Sequence, residues 1–298
     1  VTVSVLYWQL HSEQKSKPQS MAARFYYSAA QTGARTLLTG TEATIGPWSP
    51  KLQHGGPPCA LLARAIEAEA SKAGLPFVAR LTVAFFRPVK VAARLEVEAV
   101  PIRVGSKVAH FEAKLFAVGG DNGGDDRVEL LRATALSARS GSVGPLAPEP
   151  EAQRLVPPSP PTDAMEPMFK ASQSFGYADH LETKCAKGTH GKGPTEMWCR
   201  VRHPLVEGEG PATPLQRALI WVDSAGGMSH YVNMHETSFV NADLTLNLIR
   251  PMQGEWCCMR ARTDLSGPTG QGLATAELWD TEGFFGRVSQ QQVLESKL

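Results

Sequence analysis

Leu81-Thr-Val-Ala-Phe-Phe-Arg-Pro88 and Leu244-Thr-Leu-Asn-Leu-Ile-Arg-Pro251 share one pattern: Leu-Thr, four residues, then Arg-Pro. In each, apolar residues alternate ahead of a proline that cannot donate to a sheet ladder, so each reads as a half-buried strand with a defined stop. Further along, Gly105, Ala109 and Glu112 recur as Gly270, Ala274 and Glu277. This second match is two residues out of step with the first, as a loop insertion inside a hairpin would make it. The chain therefore reads as an internal duplication.

Working outward, both halves repeat one plan. Pro57 and Pro58 suit the first turn of a helix over Cys59 to Ala70, and Gly74 with Pro76 supplies the stop. Leu61, Leu62, Ala65 and Ile66 give that helix an apolar face. Alternating runs follow at Leu81, Val83 and Phe85, at Leu95, Val97 and Ala99, and at Ala109, Phe111, Ala113 and Leu115. In the second half, Pro214 to about Tyr231 reads as a helix. Strands are expected over Ala242–Arg250, Glu255–Thr263, Gly272–Trp279 and Gly286–Leu294. Helix first and antiparallel strands afterwards is an α+β order. Eight prolines between Gly141 and Pro167 forbid a continuous helix or central strand there. The expected organisation is an N-terminal extension over 1–20, a first unit over 21–140, a Pro-rich linker over 141–167 and a second unit over 168–298.

Composition narrows the function. The 298 residues are 42% hydrophobic and 20% charged, which fits neither a disordered nor a membrane-embedded chain. Thirty Lys and Arg against 29 Asp and Glu leave a net charge of +1, so no general attraction to nucleic acid is expected. Val1 to Leu10 is apolar but lacks a basic flank and a small-residue cleavage site, so no secretory signal or membrane span is read. Five cysteines with no C-x-x-C spacing suggest free thiols in a reducing compartment. Nucleophile-elbow, P-loop, dinucleotide-binding and H-E-x-x-H motifs are all missing. The histidines are not at metal-ligand spacing, so no metal or cofactor is expected.

A few polar residues stand out. Asp223 lies in the apolar run Ala218-Leu-Ile-Trp-Val-Asp223 just before Gly226-Gly227. It is either a capping aspartate or a carboxylate held buried for a purpose. His54-Gly55-Gly56 precedes the first helix, where it is either a tight turn or a set of backbone N–H groups able to hold an oxyanion. Asn241 and Asp243 alternate at a strand start and are expected on one face. Of Gln290, Gln291 and Gln292, at least one must face inward and find partners.

Together, Gln53-His-Gly-Gly-Pro-Pro-Cys-Ala-Leu-Leu-Ala-Arg-Ala-Ile-Glu67, Phe239-Val-Asn-Ala-Asp-Leu-Thr-Leu-Asn-Leu-Ile-Arg-Pro251 with Gly254-Glu255-Trp256, and Gly272-Leu-Ala-Thr-Ala-Glu-Leu-Trp-Asp280 resemble the acyl-CoA thioesterase II family. The resemblance covers roughly residues 36–294. It implies a double hotdog: two repeats, each a long central helix wrapped by an antiparallel sheet. It also implies hydrolysis of acyl-CoA to a free acid and CoA, with no cofactor. In that family a helix Asp, a strand Ser or Thr and a late-strand Gln position the attacking water. By position these are Asp223, Asn241 and Gln290. Asn241 departs from the family's hydroxyl, and Thr245 is the nearby residue able to supply one. His54, Gly55 and Gly56 are the candidates for substrate binding and the oxyanion. The alternatives are a noncatalytic acyl-CoA-binding protein and a hotdog hydratase or dehydratase. The last needs a histidine beside the helix carboxylate, and His54 is the only candidate, from the other half. A homo-oligomer is expected by resemblance. Terminal Ser296-Lys297-Leu298 matches a peroxisomal address read by an import receptor, giving a peroxisomal expectation, or cytoplasmic if the source is bacterial.

Overall fold

The structure, a computed structural model, describes residues 25–33, 35–119, 126–146, 150–151, 154–168 and 176–297. The expected extension over 1–20 and Leu298 of the terminal tripeptide lie outside them. Among the described residues, no helix is long and apolar enough to cross a membrane.

The duplication is visible in the order of elements. The first half runs β1 (Tyr27–Thr32), β2 (Arg35–Gly40), α1 (Gly56–Lys72), β3 (Phe77–Phe85), β4 (Arg94–Val104), β5 (Val108–Val118) and β6 (Arg127–Ala138). The second half opens with α2 (Gly176–Asp179), β7 (Leu181–Lys187) and β8 (Thr195–Val201). It continues with α3 (Pro214–Val222), α4 (Ala225–Ser229), β9 (Thr237–Asn241), β10 (Asp243–Leu248), β11 (Trp256–Ser266), β12 (Gln271–Asp280) and β13 (Gly283–Ser296). The two longer helices, α1 and α3, are thus each preceded by two strands that the sequence pattern did not mark.

All thirteen strands join one antiparallel sheet in the order β1-β2-β4-β5-β6-β3-β10-β13-β12-β11-β8-β7, with β9 added beside β13. The two Leu-Thr motifs meet at its centre. Thr245 pairs with Thr82, Leu244 with Val83 and Leu246 with Leu81, and the Thr245 hydroxyl donates to Thr82 Oγ1 at 3.2 Å. Equivalent residues of the two repeats face each other across an approximate two-fold axis. Thr245 therefore sits in this seam and does not line the candidate site described below, contrary to its sequence reading.

Helix α1 forms as expected. Its prolines occupy the first turn, where no donor is lost from the helical ladder, and Gly74 at φ +72° ends it in a conformation that favours glycine. Ala109, Phe111, Ala113 and Leu115 alternate inward along β5 and are fully buried beneath it. Small residues on both sides, Ala60 and Ala63 on the helix and Ala109, Ala113 and Ala133 on the sheet, let the helix settle close to the strands.

A long central helix in each repeat is not what the structure shows. The first repeat has the 17-residue α1, but the stretch from Pro214 onward is split into nine- and five-residue helices at Asp223-Ser224. Ser224 N–H bonds back to Trp221 O in a tightened turn, and Gly226-Gly227 are poor helix formers. Helix α3 begins in a capping box between Thr213 and Gln216, and both also bond the Glu67 carboxylate of α1. At the other end Gly56 lies against Ile220 O. These contacts make α1 and α3 antiparallel neighbours, the start of one beside the end of the other.

The Arg-Pro motif of the second repeat also has a structural task. Arg250 binds both oxygens of buried Asp280 at 2.6 and 2.8 Å, and the N–H groups of Gln253 and Glu282 complete the carboxylate's shell. Although burial opposes it, the Arg250 hydrogen bonds and the two backbone N–H groups hold the Asp280 carboxyl below its usual range.

A Cβ at Gly56 would lie 2.2 Å from Ile220 O, a backbone atom that cannot step aside. Gly56→Ala is expected to lower stability by about 3 kcal/mol, the upper end of overpacking costs. A denaturant titration checks this, and an unchanged midpoint would contradict the helix contact.

Candidate active site

The second half of helix α3, Ala218 to Val222, is wholly apolar and buried, so its end carries Asp223 into the interior at 7% exposure. A buried carboxylate needs partners, and two amides supply them. Asn241 Nδ2 and Gln290 Nε2 donate to Asp223 Oδ1 at 2.9 and 3.0 Å, and both also reach the Asp223 carbonyl oxygen at 3.2 Å. One face of the helix end is clamped by neutral donors.

Strand periodicity explains where the glutamines point. Gln290 and Gln292 face inward at 0% and 1% exposure, and Gln291 between them faces out. Gln292 Nε2 donates to Asn241 Oδ1 at 3.0 Å, which fixes the orientation of the Asn241 amide toward Asp223. A Cβ at Gly226 would fall on the Gln292 side chain, so the glycine is what admits this second glutamine. Asn241 and Asp243 do not share a face as expected. Asn241 ends β9 in the cluster, whereas Asp243 opens β10 and accepts from the Gln291 N–H at 2.8 Å. The chain steps between strands at Ala242.

The other carboxylate oxygen looks across the repeat boundary. His54 Nδ1 is 3.3 Å from Asp223 Oδ2, and a Cβ at Gly55 would lie 2.7 Å from that same oxygen. Only glycine fits there. The His54 ring stacks on Tyr177 with centroids 3.8 Å apart and planes 3° from parallel. Tyr177 Oη donates to Ile220 O at 2.6 Å and lies 3.0 Å from Ser224 Oγ, which lies 3.4 Å from His54 Nε2. Tyr177 has one proton and spends it on Ile220. The chain is then complete when Ser224 donates to Tyr177 and His54 Nε2–H to Ser224. That leaves Nδ1 as an acceptor, in agreement with the Gly56 N–H that reaches it at 3.1 Å. Burial lowers the His54 pKa and Asp223 opposes the shift, so the imidazole is neutral at pH 7.

The start of α1 is poorer in donors than its sequence reading implied. Pro57 and Pro58 have no N–H, and that of Gly56 is taken by His54. Gly55 N–H is the backbone donor there with no partner among the described residues.

These groups open onto a cavity of about 710 Å³ whose walls include Trp48, Phe85, Phe86, Met168, Phe239 and Val240. Asp223, His54, Gly55, Ser224 and Asn241 line it, whereas Gln290, which sits behind Asp223, and Thr245 and Gly56 do not. Gln292, Ser224 and Tyr177 were not singled out from sequence as site residues. The inward period shared with Gln290 could have found Gln292. Tyr177, which follows Phe169 and Phe175 just beyond the linker, carried no signal. Among the described residues no group of three or more His, Cys, Asp or Glu is placed to hold a metal ion.

His190 also lines the cavity, with buried His230 behind it in edge-to-face contact at 5.8 Å. Burial lowers both, and His230, with His190 beside it, falls to about 4. Because the unfolded value is about 6.5, the unfolded chain takes up protons first as pH falls. Stability is therefore full above about pH 6.5 and declines toward pH 4. His230→Leu is expected to flatten that decline in thermal melts between pH 7 and 4.5. Parallel curves for the two proteins would remove His230 from the account.

The sequence profile of the acyl-CoA thioesterase N-terminal domain matches residues 44–138, and that of the acyl-CoA thioesterase C-terminal domain matches residues 150–294. A hot dog fold protein of Alicyclobacillus acidocaldarius superposes with a TM-score of 0.64 at 17% identity, covering 91% of this chain and 96% of that one. The acyl-CoA thioesterase II TesB2 of Mycobacterium marinum gives 0.57 at 14% identity, over 90% and 96% of the two chains. The tesB protein of Mycobacterium avium subspecies paratuberculosis gives 0.57 at 15%, over 90% and 95%. A comparison with curated proteins finds no match. At these identities the structural likeness establishes the hotdog fold, and the two consecutive domain profiles establish that the chain belongs to the acyl-CoA thioesterase family.

Proposed function

We propose that the chain hydrolyses acyl-CoA thioesters by direct attack of water, with Asp223 as the base. The observation that carries this is the division of labour at its carboxylate. Oδ1 is held by Asn241 and Gln290, while Oδ2 faces His54 Nδ1 at 3.3 Å on the cavity wall.

The one lone pair of Nδ1 already accepts from the Gly56 N–H, so Oδ2 is the acceptor left for a donor from the cavity. A water giving one hydrogen to Oδ2 keeps a lone pair directed away from it, toward a thioester carbonyl in the cavity. As the water attacks, Oδ2 takes its proton. In this reading Asn241 and Gln290 orient the carboxylate, not the water, so the departure from a hydroxyl at position 241 leaves the base intact. The Gly55 N–H is assigned to the oxyanion, a donor of a kind that contributes about 2.7–4 kcal/mol in other enzymes. The tetrahedral intermediate expels the CoA thiolate, which takes the proton from Asp223, and the new acid loses the water's other proton to solvent and leaves as the carboxylate, with no covalent intermediate.

Release of free CoA from a panel of short, medium, long and aromatic acyl-CoAs, followed with a thiol reagent, tests the reading. Burial raises the pKa of Cys59, Cys199, Cys257 and Cys258, so those thiols give a slow blank. Asp223→Asn is expected to lower kcat by about 10²–10⁴. Turnover that survives this substitution removes Asp223 as base. Binding of acyl-CoA without turnover leaves a binding protein.

One observation favours a second reading. A histidine beside the helix carboxylate is what a hydratase needs, and the fold brings His54 there from the other repeat. Enoyl-CoA consumed without thiol release would identify that activity.

A further inference from the structure

The repeats differ in how they use their matching arginines. Arg250 is locked onto Asp280. In the sheet, Thr82 reaches Glu112 through Thr134 as Thr245 reaches Thr275 through Ser289, and in this register the counterpart of Asp280 is Ala117. Arg87, the counterpart of Arg250, is therefore left without a carboxylate. It is exposed, it makes no ion pair or side-chain hydrogen bond among the described residues, and it lines the cavity.

A second cation comes from the far end of the chain. Lys297 lines the same cavity, its Nζ donating to Met234 O at 2.7 Å and lying 5.4 Å from the centre of the Trp48 ring. The Lys297 N–H bonds to Glu236 O, which fixes its backbone beside β9. It too has no carboxylate partner among the described residues. Of the charged side chains on the cavity wall among the described residues, Asp223 is buried and held by amides, and the other two are Arg87 and Lys297. Beside Arg87, Phe86 leaves 52% of its surface in solvent, an uncommon exposure for a phenylalanine.

We infer that Arg87, Lys297 and Phe86 form the subsite for the phosphorylated nucleotide end of CoA, the two cations meeting phosphate oxygens and the phenylalanine ring stacking on adenine. The inference rests on the thioester reading for the other end of the ligand. The pantetheine arm separates phosphates from thioester, so phosphates on the exposed Arg87 leave the thioester free to reach buried Asp223. Arginine suits a phosphate through its paired N–H donors, and an exposed aromatic face suits any purine. Among the described residues, no other charged side chain on the wall opposes a polyanion at this end.

Two measurements on the full chain test the subsite. The first is kcat/KM for one acyl-CoA divided by that for the same acyl-pantetheine, which has no phosphates. This ratio is expected to fall roughly tenfold for each of Arg87→Ala and Lys297→Gln, as loss of a charge-assisted hydrogen bond predicts. The second is calorimetric titration with CoA at two salt concentrations. Kd is expected to rise by a similar factor in each variant, and its salt dependence to be shallower than in the wild type. Phe86→Ala is expected to weaken CoA without changing that salt dependence. Turnover of both esters with an unchanged ratio in the variants overturns the subsite and leaves the hydrolase reading standing. If the wild type turns over neither ester, the hydrolase reading fails, and the CoA titrations alone then decide the subsite. Equal Kd in wild type and variants overturns it in that case too.

Discussion

The contact between the start of α1 and the end of α3 is where the two repeats become one protein. Gly56 has no Cβ, so its backbone can rest against Ile220 O, and Gly55 can lie against Asp223 Oδ2. A larger residue at either position would hold the helices apart. The separation would carry His54 away from Asp223, because one belongs to the first repeat and the other to the second. The continuous sheet makes the approach reproducible. Pairing of β3 with β10 at Thr82 and Thr245 fixes how the repeats face each other, and Glu67 on Thr213 and Gln216 fixes the far ends of the helices.

Two buried aspartates show how partners decide what a carboxylate can do. Asp280 is bound by a guanidinium and two backbone N–H groups, and this shell lowers its proton affinity. It is an anchor for the turn after β12. Asp223 is held by the side-chain amides of Asn241 and Gln290, which orient Oδ1 without bringing a positive charge against it. Its second oxygen is kept beside a neutral imidazole on the wall of a cavity. A carboxylate used as a base needs this kind of support, firm in geometry and free of a full counter-charge.

Duplication has left the repeats similar in path and different in chemistry. The Arg-Pro strand end is present in both, but its arginine is held by a carboxylate in one and by none among the described residues in the other, because Asp280 has Ala117 as its counterpart. The helix is continuous in the first repeat and broken in the second at the residue that carries the carboxylate. The first repeat supplies the imidazole, the glycine and much of the aromatic wall, and the second supplies the carboxylate and its amides. Neither repeat alone holds a complete site.

The sequence by itself determined the duplication, the α+β order, the extent of α1 and the inward faces of β3 and β5. These follow from local rules: prolines at a helix start, a glycine at its end, and a side-chain period of two. It also drew attention to Asp223, Asn241, Gln290 and the His54-Gly55-Gly56 turn, since polar residues in apolar runs are costly unless used. Tertiary structure alone decided which of them meet. Asn241 and Asp243 part because the chain changes strand at Ala242, and Thr245 is drawn into the seam by its own counterpart Thr82. Gln292 joins the cluster because Gly226 leaves it room, and Tyr177 reaches His54 across the repeat boundary. Residues far apart in sequence come together through the packing of two helices and the pairing of two strands, and no local pattern encodes that distance.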